Sequence, residues 1–170
     1  DEHWIEETIS TFDHKKRLVK KAERTYYKEW KKIRKGKYTF RKEVENEWTE
    51  EYTYNEAGVL IKEVNKDFIS DVYYTTEITL YNEQEQKVER NEKRECKNRL
   101  VTSPKIESKD QIFLERTLYY YDSEGNLTRE ELKKWRADEG IETDVKHFTT
   151  HHFYVKDDEY EEHLKVTVKK

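Results

Sequence analysis

Four of the six histidines, His147, His151, His152 and His163, lie toward the C-terminus of the 170-residue chain. If the last hairpin closes with three loop residues, His151 lies opposite His163, with Glu161 diagonal on the same face. Directly opposed β-carbons are roughly 5 Å apart, so two imidazoles and a carboxylate could meet one zinc ion. His147, about 13 Å along the strand from His151, would not join them. No HExxH spacing accompanies the pair. His151 and His163 are therefore the one candidate ligand pair, ordinary polar sheet surface is the favoured reading, and no cofactor is implied. The lone Cys96, in Lys93-Arg94-Glu95-Cys96-Lys97, excludes an intramolecular disulfide and any CxxC site. Its basic neighbours favour a thiolate, but a nucleophile also needs a positioned base. With no GxSxG, phosphate loop or dinucleotide fingerprint, the chain reads as non-catalytic.

Residues 13–42 hold fourteen Lys or Arg and three acidic residues, interleaved with Tyr26, Tyr27, Trp30, Tyr38 and Phe40. Basic groups for phosphates and aromatic faces for stacking are the equipment of a polyanion site. Residues 43–57, with six Glu and no basic residue, offer neutralisation instead. The unpaired remainder is Lys31, Lys32, Arg34, Lys35 and Lys37 around one hairpin end. An ion-paired sheet is favoured over nucleic-acid binding, and the net charge of −4 agrees.

These groups must be carried by strands. Alternation rich in Tyr, Thr, Val and Ile recurs at Tyr38–Val44, Tyr73–Leu80 and Ile141–Tyr154, and helical periodicity is scarce. A second pattern punctuates it: an aromatic, an Asn or Asp, polar positions, then an apolar residue six after the first. Phe12 to Leu18, Tyr54 to Leu60 and Tyr121 to Leu127 are clear copies; Tyr81-Asn82-Glu83-Gln84 and Tyr154 to Tyr160 are weaker ones. Asn or Asp opens a type I turn, and Gly58 or Gly125 takes the left-handed position of the bulge that follows. Further turn signals at Lys35-Gly36, Asn65-Lys66-Asp67, Ser103-Pro104 and Asp138-Glu139-Gly140 predict alternate tips at the opposite end. The expectation is one domain over residues 1–170: an antiparallel up-and-down meander of about ten long strands, open or partly curled. A closed up-and-down barrel is the alternative, because closure removes edges.

Opposed charges predict register. A two-residue loop at Lys35-Gly36 opposes Lys28 to Glu43, Glu29 to Lys42, Arg24 to Glu47, Lys21 to Glu50 and Lys20 to Glu51. A similar exercise opposes Arg136 to Glu142 and Lys134 to Asp144, and, at the Asp122 turn, Glu115 to Lys133 and Phe113 to Trp135. That last register gathers Phe113, Tyr119, Tyr121, Leu127, Arg129 and Trp135 on one face, with Glu130 and Lys134 turned away. The cluster is the densest aromatic surface in the chain. It reads as core seam first and recognition platform second, with Tyr119, Tyr121, Arg129 and Trp135 as candidate binding residues.

The stretch Tyr119-Tyr120-Tyr121-Asp122-Ser123-Glu124-Gly125-Asn126-Leu127 resembles the YD repeat of Rhs and teneurin-type proteins, and Tyr52-Thr53-Tyr54-Asn55-Glu56-Ala57-Gly58-Val59-Leu60 is similar to a degenerate second copy. Together they cover under a fifth of the chain. In that family such hairpins build long antiparallel sheets of secreted or surface proteins, so the resemblance implies the architecture and an extracytoplasmic setting.

The composition is 33% hydrophobic, 42% charged and 14% aromatic, a poor source of core but too aromatic for disorder. No apolar run approaches the roughly 18 residues of a membrane span. Beginning at Asp1 and lacking Met, the chain reads as a trimmed or mature form, which leaves a secreted or lipid-anchored origin open; the secreted or surface, bacterial-type setting is what the resemblance implies. The expected function is a non-catalytic binding module for a protein or glycan. The alternatives are a small-ligand carrier with a barrel interior and an immunity-type inhibitor of a toxin.

Overall fold

A computed structural model describes residues 3–34, 37–69, 73–96, 111–138, 141–157 and 160–169. The strands are β1 (His3–Phe12), β2 (Leu18–Arg34), β3 (Lys37–Tyr54), β4 (Leu60–Ile69), β5 (Tyr73–Tyr81), β6 (Lys87–Cys96), β7 (Gln111–Tyr121), β8 (Leu127–Asp138), β9 (Ile141–Asp157) and β10 (Tyr160–Lys169). They form a single ten-stranded antiparallel sheet in strict sequence order, with β1 and β10 at its edges. The meander is as expected and the closed barrel is not. Barrel closure would need the first and last strands to pair, yet in the described sheet β1 bonds only to β2 and β10 only to β9. Among the described residues no helix is long and apolar enough to cross a membrane.

Only Ala22, Tyr26, Thr49, Thr79, Glu92, Thr149 and His152 are buried among the described residues. Four of these seven are Thr or Ala, so burial is not a matter of apolar packing between two layers. Short side chains are covered by long neighbours on the same face of one sheet, whose stems supply the apolar contact. Opposed residues share a face. One face carries Ile78, Leu80, Leu114, Leu118, Tyr120 and Trp135; the other carries Tyr52, Thr79, Tyr119, Tyr121 and a belt of Arg and Glu.

Four tips at one end of the sheet are built alike. The N–H of Asp13, Asn55, Asn82 and Asp122 each donates to the carbonyl four residues on, and each accepts from the N–H three residues on. Their Oδ1 atoms also accept the N–H four residues on, at 2.8–2.9 Å. The third residue after the Asx is left-handed: Lys16 (φ 62), Gly58 (φ 93), Glu85 (φ 59) and Gly125 (φ 90). Each tip is followed by a register shift that leaves Val19, Ile61, Val88 or Thr128 as an extra residue. The tips touch their neighbours two strands away. Arg17 stacks over the Tyr54 ring at 4.6 Å and lies 3.4 Å from where a Cβ on Gly58 would sit. Gln86, at the equivalent position of its own tip, donates to the Gly125 carbonyl at 3.0 Å. The hydroxyls of Tyr54 and Tyr121 donate to the carbonyls of Leu18 and Lys87, equivalent residues of the preceding tips.

The bulges correct several expected pairings, because each extra residue moves the register by one and turns the side chains to the other face. At β2–β3 the expected Arg24–Glu47, Lys21–Glu50 and Lys20–Glu51 oppositions hold, but beyond the shift after Thr25 Lys28 faces Lys42 and Glu29 faces Arg41. At β8–β9 Arg136 faces Thr143 and Lys134 faces Lys146, with Asp144 left-handed inside the irregularity. The expected oppositions to Glu142 and Asp144 are absent from the ladder, although Arg136 Nη1 still lies 3.4 Å from Asp144 Oδ2. At β7–β8 Phe113 faces Arg136 and Glu115 faces Lys134. Asn65, Lys66 and Asp67 are interior to β4 rather than a turn, and Tyr154–Asp157 belong to β9 rather than to a fifth tip. Ser103-Pro104 lies outside the described residues.

Gly58 and Gly125 are favoured by their left-handed φ, and at Gly125 a Cβ would also press on the Gln86 amide at 3.0 Å. Gly58→Ala and Gly125→Ala are each expected to lower stability by about 1–2 kcal/mol in urea denaturation. Lys16→Gly and Glu85→Gly, which relieve the same backbone angle, should change it by less than about 1 kcal/mol. The tip carboxyls give a second test. Backbone N–H donation from Arg17 and Asn126 holds Asp13 and Asp122 below the ordinary 3.8. A carboxyl depressed in the fold stabilises above its unfolded pKa and loses that contribution as pH falls through the folded value. Asp122→Asn keeps the Oδ1 acceptor, as Asn55 and Asn82 do, so it should leave neutral-pH stability nearly unchanged and move the acid-unfolding midpoint to lower pH.

Candidate interaction surface

The β7–β8 hairpin divides the expected platform between two faces. The register shift after Tyr120 opposes Tyr121 to Leu127 but Tyr120 to Arg129 and Leu114 to Trp135. Arg129 and Trp135 therefore share a face with Tyr120, and Tyr119 and Tyr121 lie on the other face with Phe113, Glu130 and Lys134. On the first face the Arg129 guanidinium covers the Tyr120 ring at 4.0 Å, and the Lys133 ammonium lies 4.7 Å from the Trp135 ring. Tyr120 OH donates to Glu131 Oε2 at 3.0 Å. Cation–π stacking of this kind contributes about 0.5–1 kcal/mol per exposed pair. Tyr120 and Lys133 escaped the sequence reading because a bulge after a hairpin tip leaves no mark in the hydrophobic pattern.

On the second face, burial raises the pKa of the Tyr119 and Tyr121 phenols. Here three carboxylates face one another across adjacent strands: Glu77 opposes Glu92, and Glu92 opposes Glu115. Such oppositions are destabilising by themselves. Arg90 and Arg94 flank Glu92 on the same face and link the three. Arg90 Nη2 lies 2.5 Å from Glu77 Oε2 and 3.0 Å from Glu92 Oε2. Arg94 donates to Glu92 and reaches Glu115 at 3.9 Å, and Lys134 contacts Glu115 at 2.8 Å. Burial pushes the Glu92 carboxyl up, but Arg94 and Arg90 outweigh it, so its pKa is lowered. Beside this belt Trp48, Asn65, Asp67, Tyr73, Glu77 and Arg94 line a depression of about 380 Å³. A second depression of about 380 Å³ lies on the opposite face by Leu118, Lys133 and His147.

The remaining candidates are not brought together. Lys31, Lys32 and Arg34 oppose Thr39, Tyr38 and Lys37 in the β2–β3 hairpin; their side chains and Lys35 lie outside the described residues. Residues 29–34 of that hairpin run past the end of β1 pairing, roughly 20 Å of strand. His151 faces Val166 and His163 faces Tyr154, so the expected His151–His163 pairing fails. The β9–β10 register lies three positions from the expected one, an odd-numbered offset that puts the two histidines on opposite faces. No group of three His, Cys, Asp or Glu able to hold a metal ion occurs among the described residues. Buried His152 has Nε2 at 3.5 Å from Glu130 Oε2, a structural contact.

No family model, curated protein or solved structure matches the chain.

Because the folded state favours the Glu92 anion, Glu92→Gln is expected to destabilise rather than relieve the carboxylate row, by about 1–2 kcal/mol given its half-exposed arginine partners. Urea denaturation of the variant at neutral pH measures this, and an unchanged or raised midpoint would count against the arginine-linked row.

Proposed function

We propose that the chain is a non-catalytic binding module that holds a protein partner on one broad face of its sheet. The observation that carries this reading is the single layer itself: both faces present half-buried Tyr and Trp beside Arg, Lys and Glu, and the described residues enclose no interior. Tyr, Trp and Arg are the residue types that dominate binding energy at protein interfaces. An open sheet has no lumen for a carried ligand, so the small-ligand carrier loses the cavity it requires. Of the two faces, the one bearing Tyr120, Arg129, Lys133 and Trp135 is favoured, since its aromatic rings are capped by mobile cations that a partner can displace or share. Its charge is mixed, with Glu131 beside Arg129 at 3.5 Å, which suits a protein surface better than a polyanion. An extracytoplasmic setting rests on the Tyr-Asp-Gly tips, whose likeness to each other supports reading them as repeats.

Arg129→Glu together with Trp135→Ser should abolish capture of a partner that the unaltered chain retains, while Tyr119→Ser and Glu130→Gln on the opposite face leave capture intact. The measurement is surface-plasmon binding of candidate extracellular proteins, with far-ultraviolet circular dichroism confirming each fold. Equal loss from both faces would remove this face from the role.

A further inference from the structure

We infer that copies of this chain associate head to tail, β10 of one continuing into β1 of the next, so that the sheet extends beyond ten strands. β1 bonds only to β2 and β10 only to β9, leaving two unpaired edges on the described sheet. Exposed edges are usually blunted by Pro, by Lys on the edge or by bulges. β1 has no Pro, Lys or Arg, and its one irregularity falls at Thr11/Phe12. β10 pairs with β9 without any irregularity and carries Lys165 and Lys169, cations that suit the acidic β1 edge rather than a second β10.

Polarity, chemistry and charge all fit this occupant. β1 runs toward the end of the sheet that carries the Asx tips, and β10 runs away from it. A β10–β1 junction between two copies in the same orientation is therefore antiparallel, like every pairing inside the chain. Nine of the ten exposed large apolar side chains among the described residues belong to β1, β9 and β10. The chain thus concentrates its uncovered apolar surface where a neighbouring strand would cover it. β1 contributes Glu6 and Glu7, and the described side chains of β10 contribute Lys165 and Lys169. The register that opposes Ile9 to Val166, 41% and 52% exposed, also opposes Thr8 to Thr167 and Glu6 to Lys169. Ile9 then meets Val166 on one face and Glu6 meets Lys169 on the other, while Glu7 lies opposite Val168 and Ser10 opposite Lys165. A contact between unlike edges is heterologous and does not close on itself, so it adds copies rather than stopping at two.

The test is the mass of the full chain in sedimentation across a concentration series, at low salt. The expected result is a weight-average mass that climbs from the 21.0 kDa of one chain through two- and threefold values, with amide exchange in β1 and β10 slowing as mass rises. Ile9→Lys and Val166→Lys should each remain at one-chain mass alone. Mixed, they should form twofold mass and nothing larger, because each retains the edge the other lacks. Glu6→Lys should weaken association, and Glu6→Lys with Lys169→Glu should restore it. The inference is overturned if the unaltered chain stays at 21.0 kDa throughout with exchange in β1 and β10 independent of concentration. It is also overturned if Val166→Lys alone still associates, which would mean that like edges pair. Neither result bears on the face carrying Trp135, whose variants are read separately.

Discussion

Everything in this molecule depends on the hydrogen-bonded ladder between neighbouring strands, because the described residues form one sheet with no second layer among them to receive a buried face. In a two-layer domain the hydrophobic effect acts between layers and the ladder satisfies the backbone. Here the two tasks fall on the same contacts. Apolar surface is removed from water mainly when a side chain lies across its cross-strand neighbours, and this explains why the most buried residue among the described ones is Thr79, at 2% exposure, rather than a Leu or Phe. A short residue in the middle of a row is roofed by long ones; a long residue remains half-exposed.

That constraint accounts for the composition. With a third of the residues hydrophobic, nearly half of the strand positions are filled by Lys, Arg, Glu and Tyr, whose long stems cover neighbours while their polar ends reach water. Charge arrangement then becomes structural. The Glu77, Glu92 and Glu115 row would repel itself were Arg90 and Arg94 not placed two residues either side of Glu92. Lys20, Lys66 and Glu51 make a comparable three-strand link on the other face, at 3.1 and 3.3 Å. Single exposed ion pairs contribute little, but a connected set opposes the wrong register at many positions at once.

The tips add order along the second direction of the sheet. Each Asx turn is a local device, yet Arg17 on Tyr54 and Gly58, and Gln86 on Gly125, connect tips that are two strands apart. Glycine stands at the left-handed position in the second and fourth tips, where such a side chain arrives. In the first and third tips Lys16 and Glu85 occupy it.

From the residues alone came the class of fold, the near-ten strand count, and the tips at Asp13, Asn55, Asn82 and Asp122, because turn chemistry is confined to five consecutive residues whose side chains announce it. The Arg24–Glu47 and Lys20–Glu51 pairings were legible for a related reason: they lie on a stretch of β2–β3 where opposed positions keep one unbroken offset. The tertiary structure decided what depends on adding such offsets together. An extra residue such as Thr128 or Glu45 has no distinctive type, yet it turned Trp135 and Arg129 away from Tyr119 and opposed Lys28 to Lys42. The β9–β10 register likewise parted His151 from His163. Whether the sheet closed was likewise a tertiary matter, since closure requires the first and last strands to pair, and in the described sheet β1 bonds only to β2 and β10 only to β9.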